Sequence, residues 1–269
     1  MENGEVQKEQ YSEERLEGFI VTAGKELKQI SEDGAMGENY LVICALALEL
    51  LDQVFEEEYG FPIEIKAIAE KMNIHVFYRP LNSEEQNGRI HKMVGKLVKK
   101  WSVVTNEAIC GIMIDEESDR ETQRYGFAHE LAHYLMRMEE RKIDSEYHTM
   151  PMLFMDMEEM VADIFAIFLL IPIPRFLKEF LWYIGEDNVP VQTSDWLEYL
   201  GRVTEVPYEE VAIGYQNIRY VCGLLYEIKH EKRKQPEIKD EDIKKIVDKQ
   251  IHKVIACMEE DGIEDKLFC

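Results

Sequence analysis

The sequence is short of positive charge. Its 31 lysine and arginine residues face 54 aspartate and glutamate residues, which gives a formal net charge of -23 at pH 7. This balance argues against direct binding to a nucleic-acid backbone, because the phosphates are also negative. It is compatible with attraction to a basic protein, although high solubility alone would also explain it.

Cysteine motifs and long hydrophobic runs are also scarce. The polar, acidic N-terminus lacks the pattern of a signal peptide. The longest uncharged run, residues 164–174, is too short and too broken by proline to span a bilayer. The cysteines are scattered and odd in number, without C-x-x-C spacing, which predicts reduced thiols in a cytosol. We therefore expect a cytoplasmic protein.

A His-Glu-x-x-His motif organises the rest of the chain. It lies in a helical pattern that begins at Ser118, where Glu121 completes a capping-box signature. Positions i and i+4 share one face of a helix, so His129 and His133 can offer two nitrogen ligands to one metal ion. Glu130 can reach water bound to that metal and act as a general base, as in zinc hydrolases. The alternative is that both histidines are ordinary core or surface residues.

A second, almost wholly apolar helix is predicted at residues 157–172 and carries the candidate third ligand. Glu159 and Asp163 share one face of this helix, and charges are seldom buried without a partner. A metal would satisfy Glu159, while Asp163 would accept a hydrogen bond from His129 and fix its tautomer. The alternative is a set of buried salt bridges with basic residues, namely Arg124, Arg137 or Lys142.

These two helices resemble the ImmA/IrrE family of metallopeptidases, which are gluzincin-like zinc enzymes. The resemblance rests on residues 124–135, on residues 159–172 and on residues 62–74, which look like the family's short helix that ends in a strand. The family usually has glycine where this chain has Ala132 and asparagine where it has Asp163. Both changes are mild, and aspartate also orients a histidine well.

The resemblance implies an α+β fold with a zincin-like core, in which a small antiparallel or mixed sheet joins the metal-binding helices. Additional N- and C-terminal helices make the chain mostly helical. We expect an acidic helical segment at residues 1–59, the metallopeptidase core at 60–175 and a helical region at 176–269.

The resemblance also implies a zinc-dependent endopeptidase. One Zn²⁺ ion would be held by His129, His133 and Glu159, with Glu130 as the catalytic base, and Mn²⁺ or Fe²⁺ are alternatives. The family's usual substrate is a helix-turn-helix repressor, whose cleavage switches on mobile-element or stress genes. No direct nucleic-acid or membrane contact is expected. A different class of function is a metal-containing regulatory module that sequesters a protein partner without turnover, but a module of that kind has no need of Glu130.

Two further groups are candidates for contact with a substrate. Tyr147 and His148 lie between the two helices and could donate to the oxyanion formed when water attacks a carbonyl, or they could belong to a surface loop. In zinc peptidases of this build, an edge strand beside the metal helix pairs with the substrate backbone. The strand predicted at residues 108–115, with Cys110, Gly111 and Ile112, is our candidate for that edge.

Periodicity predicts the remaining elements. Strands are expected at residues 74–78 and 95–98, and helices at 13–30, 40–58, 174–184, 195–201 and 207–220. Residues 228–250 are rich in lysine, with only weak apolar periodicity, and predict a solvated helix on the core or a site for a partner.

Overall fold

The computed structural model describes residues 2–56, 58–81, 84–86, 89–91, 93–102, 107–137, 157–185 and 192–260. Its helices are α1 (Glu2–Asp33), α2 (Asn39–Phe55), α3 (Ile65–Lys71), α4 (Arg120–Arg137), α5 (Met157–Leu170), α6 (Ile173–Ile184), α7 (Thr193–Thr204), α8 (Tyr208–Lys229) and α9 (Glu241–Glu260). Its strands are β1 (His75–Arg79), β2 (Glu84–Gln86), β3 (Arg89–His91), β4 (Gly95–Ser102) and β5 (Glu107–Asp115). The fold is α+β and mostly helical, as the sequence predicted.

The sheet that supports the metal-motif helix has three strands in the order β1-β5-β4. β5 runs parallel to β1 and antiparallel to β4, so Ile112 pairs with Val76 on one side and with Leu97 on the other. β2 and β3 form a separate antiparallel pair. The prediction that Cys110, Gly111 and Ile112 form an edge strand is therefore wrong, because β5 lies between β1 and β4.

The strand that ends the described sheet on one side is β4, and it packs against α4 together with β5. Two glycines permit close approaches in this layer. A Cβ on Gly111 would lie 2.3 Å from the carbonyl oxygen of His75, so glycine allows β1 to pair closely with β5. A Cβ on Gly95 would lie 2.7 Å from Cγ of Glu130, so glycine also lets β4 lie directly against the metal-motif helix.

The centre of the molecule is formed by α2 and α5, which are apolar on almost every face. Each residue from Leu41 to Leu51 is buried, as is each residue from Ile164 to Leu170. A helix that is hydrophobic all round must lie inside a protein. The surrounding helices that contact one or both of them include α1, α4, α8 and α9. This packing places α5 beside α4, which carries the His-Glu-x-x-His motif.

The C-terminal part of the chain differs from the sequence prediction. Instead of one solvated helix at 228–250, α8 continues to Lys229 and a separate helix, α9, begins at Glu241. α9 buries a regular apolar stripe against its neighbours, chiefly α2. Its members are Ile243, Val247, Ile251, Val254 and Met258. The sequence prediction missed this periodicity because lysines lie between the apolar residues. It also ended the helix at residue 250, whereas the apolar stripe continues almost to Glu260.

Within the described part of the chain, no single helix has both the length and the apolar character needed to cross a membrane. The pair α5 and α6 meets those criteria of length and composition together, but it bends by 53° at its break.

Candidate metal centre

The helix that carries the motif begins one residue later than the sequence suggested. α4 starts at Arg120, and its cap is Asp119, whose Oδ1 accepts a hydrogen bond of 2.8 Å from the backbone N–H of Thr122. Ser118, the predicted cap, donates its hydroxyl to Asp115 at 2.8 Å instead. An aspartate cap suits a helix N-terminus because its charge also complements the helix dipole.

Three side chains converge between α4 and α5, as the sequence predicted. They are His129 and His133 of α4 and Glu159 in the first turn of α5, and their ligand atoms lie within 4.8 Å of one another. Both histidines are buried, with 8% and 5% of their surface exposed. This cluster is the one group of three metal-ligating side chains found among the described residues.

The spacing of these atoms fits a tetrahedral metal site. Nε2 of His129 lies 3.1 Å from Nε2 of His133 and 3.1 Å from Oε2 of Glu159. Nε2 of His133 lies 3.3 Å from Oε1 of Glu159. Ligands about 2.0–2.1 Å from a tetrahedral zinc ion are about 3.3–3.4 Å apart, so the three atoms form nearly one face of such a tetrahedron.

The Nδ1 atom of each histidine contacts a carboxylate. Nδ1 of His129 lies 2.8 Å from Oδ1 of Asp163, which also accepts a hydrogen bond of 2.9 Å from the hydroxyl of Tyr125. Nδ1 of His133 lies 3.1 Å from Oε1 of Glu158. The predicted contact between Asp163 and His129 is therefore present, and a matching carboxylate serves the second histidine.

This arrangement determines which nitrogens are free to bind a metal. An ionised carboxylate can only accept hydrogen bonds, so the proton of each neutral imidazole must lie on Nδ1. Both Nε2 atoms then present lone pairs toward one point, where Glu159 adds a negative oxygen. Lone pairs this close repel each other unless a cation lies between them. The donor set thus suits a divalent metal with nitrogen and oxygen ligands.

The pKa values of His129 and Glu159 also show that the site favours a bound positive charge. Burial lowers the pKa of His129, but its hydrogen bonds with Asp163 and Glu159 outweigh burial and raise the pKa to about 10. Burial raises the pKa of Glu159, but its bonds with His129 and His133 outweigh burial and lower the pKa to about 2. Without a metal, a proton on the histidines supplies this positive charge, and a metal ion must displace that proton in order to bind.

Glu130 lies next to the ligands but is not one of the three. It is 4% exposed, and burial raises the pKa of its carboxyl group, against the opposing effect of the two histidines. Its Cγ faces Gly95 at the start of β4. A carboxyl group with a raised pKa accepts a proton more readily than an ordinary glutamate does, which suits a general base.

The structure also bears on the alternative that Glu159 and Asp163 form buried salt bridges with basic residues. Arg124 turns away from the ligands, because one of its terminal nitrogens donates to the carbonyl of Ile63 at 2.8 Å and its Nε lies 3.5 Å from Glu205. Arg137 donates through Nε to Glu158 at 3.2 Å. Lys142, Tyr147 and His148 lie outside the described residues.

The sequence analysis missed Glu158 and Tyr125. Glu158 immediately precedes Glu159 at the start of α5. The site needs only one carboxylate ligand there, so the second acidic residue was a visible candidate for another role. The partner of Glu158 was also visible, since Arg137 follows His133 by one helical turn. Tyr125 precedes His129 by one turn, but only the structure shows that its hydroxyl reaches the second helix.

Comparison with known proteins agrees with this geometry. The family model of the M78 peptidases, described as an IrrE N-terminal-like domain, matches residues 69–214, which is more than half of the chain. No curated protein matches the chain. The match includes the ligand helices α4 and α5, whereas α1, α2 and α9 lie outside it. The chain belongs to the M78 peptidase family, with a zincin-like fold and a His-His-Glu cluster able to hold a metal ion.

Proposed function

We propose that this protein is a cytoplasmic zinc endopeptidase that cleaves a helix-turn-helix transcriptional repressor. The observation that carries the proposal is the convergence of His129, His133 and Glu159 in tetrahedral spacing, with the buried carboxylate of Glu130 beside them. Three protein ligands leave a fourth position open, which is typical of catalytic rather than structural zinc sites.

The mechanism follows from the roles that the side chains can take. When bound, zinc supplies Lewis acidity, which lowers the pKa of water and polarises the carbonyl of the substrate. Glu130 accepts one proton from the attacking water and passes it to the amine that leaves when the peptide C–N bond breaks. Asp163 and Glu158 hold the two imidazoles in the tautomer and orientation that ligation requires.

The corrected sheet order supports a position for the substrate beside β4. β4 ends the described sheet next to α4, and Gly95 brings its first residue into contact with Glu130. An extended peptide that pairs with β4 therefore lies alongside the base. We expect Gly95→Ala to lower kcat by about 100-fold through displacement of Glu130 or β4, with the zinc content unchanged. Gly60→Ala is the matched control, since nothing lies within 4 Å of a Cβ there.

A basic DNA-binding protein is a suitable substrate on electrostatic grounds. The net charge of -23 attracts a partner whose surface is adapted to phosphates. Attraction of this kind is screened by salt, so KM for the repressor should rise as the ionic strength increases.

The experiment incubates the zinc-loaded protein with purified helix-turn-helix repressors and analyses the products by mass spectrometry. Wild type should release two repressor fragments. Glu130→Gln, which keeps the size of the side chain but removes the base, should hold the same amount of zinc and release none. We expect about 100- to 10,000-fold less cleavage, which is the usual contribution of a general acid–base group.

Other outcomes would support different conclusions. A stable complex of wild type with an intact repressor would favour the alternative, a regulatory module that sequesters its partner. Cleavage by Glu130→Gln at the wild-type rate would remove Glu130 from the mechanism. Failure of wild type to bind zinc would overturn the metal centre itself, and elemental analysis measures this before any substrate is tested.

A further inference from the structure

Two adjoining cavities lie between α3, β1 and the first half of α4. The first has a volume of about 230 Å³, and its lining is mainly apolar. Its apolar side chains are those of Ile65, Ala69, Ile74, Val76 and Phe127, and Lys66, Glu70 and Tyr78 complete the lining. The apolar part of this lining offers a surface against which a hydrocarbon chain can pack.

The second cavity has a volume of about 460 Å³ and a different chemical character. Three cationic side chains line it, namely Lys66, Arg120 and Arg124, together with Glu64 and Gln123. Ile65, Lys66 and Tyr78 line both cavities, so the two spaces meet at these residues. Their combined size falls within the range of about 300–1,000 Å³ that is typical of sites for small molecules.

The charges of the second cavity are only partly neutralised. Arg120 pairs with Glu205 at 2.9 Å, and Glu205 also lies 3.5 Å from Nε of Arg124. Arg124 is only 5% exposed, and this Nε makes no hydrogen bond within the described part of the chain. Lys66, at the junction of the cavities, forms no ion pair with any described residue. Glu64 and Glu70 also line the cavities, so the lining is not uniformly positive, but Lys66 and Arg120 are exposed and accessible to the head of an anion.

We propose that the two cavities form one binding site for a small amphiphilic anion, distinct from the metal centre. The apolar tail lies between α3 and β1, and the anionic head contacts Lys66 and Arg120. Carboxylate and phosphate heads share the chemistry that these side chains recognise. Phe127 belongs to α4, so a tail in the apolar cavity also packs against the helix that carries both histidine ligands.

Calorimetric titration of the full chain with four eight-carbon probes tests this proposal. The probes are octanoate, octyl phosphate, octanol and octylammonium, all below the concentration at which they form micelles. At least one of the two anions should bind with a stoichiometry of one, about tenfold or more tighter than octanol and octylammonium, since a charge-assisted contact distinguishes them. The stronger anion identifies the preferred head group. Methyl NMR shifts of Ile65 and Ile74 should follow the same titration.

Two charge-reversal variants on α3 locate the site. Lys66→Glu should weaken binding of the anion about tenfold or more. Lys71→Glu is the matched control, because Lys71 is also exposed on α3 but does not line either cavity, and its affinity should stay within about twofold of wild type. The proposal is overturned if neither anion binds, if octylammonium binds as tightly, or if both variants weaken binding equally.

Discussion

Two pairs of acidic residues lie on strongly apolar helices of this protein, and their partners differ in kind. On α2 the pair is Glu49 and Asp52, and on α5 it is Glu159 and Asp163. Each carboxylate on such a helix needs a partner, because burial of an unpaired charge is costly. The identity of the partners separates a cluster that holds helices together from one that can bind a metal.

On α2 the main partners come from α9 and complete the pairing within the protein, and Arg15 of α1 adds a longer contact of 3.7 Å with Glu49. The ammonium of Lys249 donates to Glu49 at 2.9 Å and to Asp52 at 3.2 Å. The amide of Gln250 donates to both carboxylates at 2.8 Å, and Lys253 donates to Asp52 at 2.7 Å. Two lysines thus balance two acids, and we name these five residues the helix clasp.

On α5 the partners are imidazoles rather than ammonium groups. Asp163 and Glu158 fix the Nδ1 atoms of His129 and His133, which directs both Nε2 lone pairs toward Glu159. An imidazole binds a metal only in its neutral form and then brings no positive charge, so in that form the carboxylates here are not balanced as those of the helix clasp are. A metal ion can provide the missing charge, which is why similar acidic pairs on apolar helices have different chemistry.

The largest effect expected from this comparison is on zinc affinity. Glu159→Ala removes one of three ligands and should lower the affinity on the order of 1,000- to 10,000-fold, beyond the 10- to 100-fold loss typical of residues that only orient a ligand. Competition with a chelator of known affinity measures the loss. Glu49→Ala removes a buried glutamate from the other apolar helix and should change zinc affinity by less than about twofold. Equal losses in the two variants would contradict the distinction between the clusters.

Disruption of the helix clasp should instead lower stability whether or not zinc is present. Asp52→Ala leaves Lys253 and Gln250 without their shared acceptor and should lower the free energy of unfolding by about 3 kcal/mol, measured by urea denaturation. Asp242→Ala is the control, since its partner Lys245 and Asp242 itself are both exposed, and an exposed pair contributes about 0–1 kcal/mol. A similar small loss in both variants would show that the clasp is not a stabilising cluster.

The ligands were predictable because their positions follow from helical geometry. His129 and His133 are one turn apart, and the apolar surroundings of Glu159 and Asp163 required that those acids have partners. The same reasoning applied to α2 would have shown that Glu49 and Asp52 also need partners. It would not have identified those partners, because α9 begins almost 190 residues further along the chain.

The order of the strands was harder to predict. Residues 109–114 are continuously apolar, which is typical of a strand buried on both faces and should have favoured a central position. The prediction instead relied on the short distance in sequence between β5 and the metal helix. Which strand lies at the edge depends on pairing with β1 and β4, and local sequence does not determine that pairing.

A smaller effect is expected when the ligands are kept and their orientation is lost. Asp163→Ala removes the acceptor for Nδ1 of His129 and should lower zinc affinity by about 10- to 100-fold. Asp163→Asn retains an oxygen acceptor and should recover most of that affinity. Chelator competition measures both, with Glu209→Ala as a control on an exposed acid of α8. Equal loss in the alanine and asparagine variants would argue against a hydrogen bond as the cause.

The smallest effect concerns the pH dependence of the helix clasp. Burial lowers the pKa of Lys249, but its hydrogen bond and its attraction to Glu49 and Asp52 outweigh burial and raise the pKa. Its contribution to stability is therefore complete below the unfolded pKa of about 10.4 and is lost as the pH rises through the higher folded value. The stability difference between wild type and Lys249→Met, from urea denaturation, should stay constant between about pH 7 and 9 and shrink above about pH 10.5. If the stability difference stayed constant to pH values well above the folded pKa, the charge of Lys249 would not stabilise the clasp. The amide of Gln250 and the ammonium of Lys253 would then satisfy the two carboxylates without it.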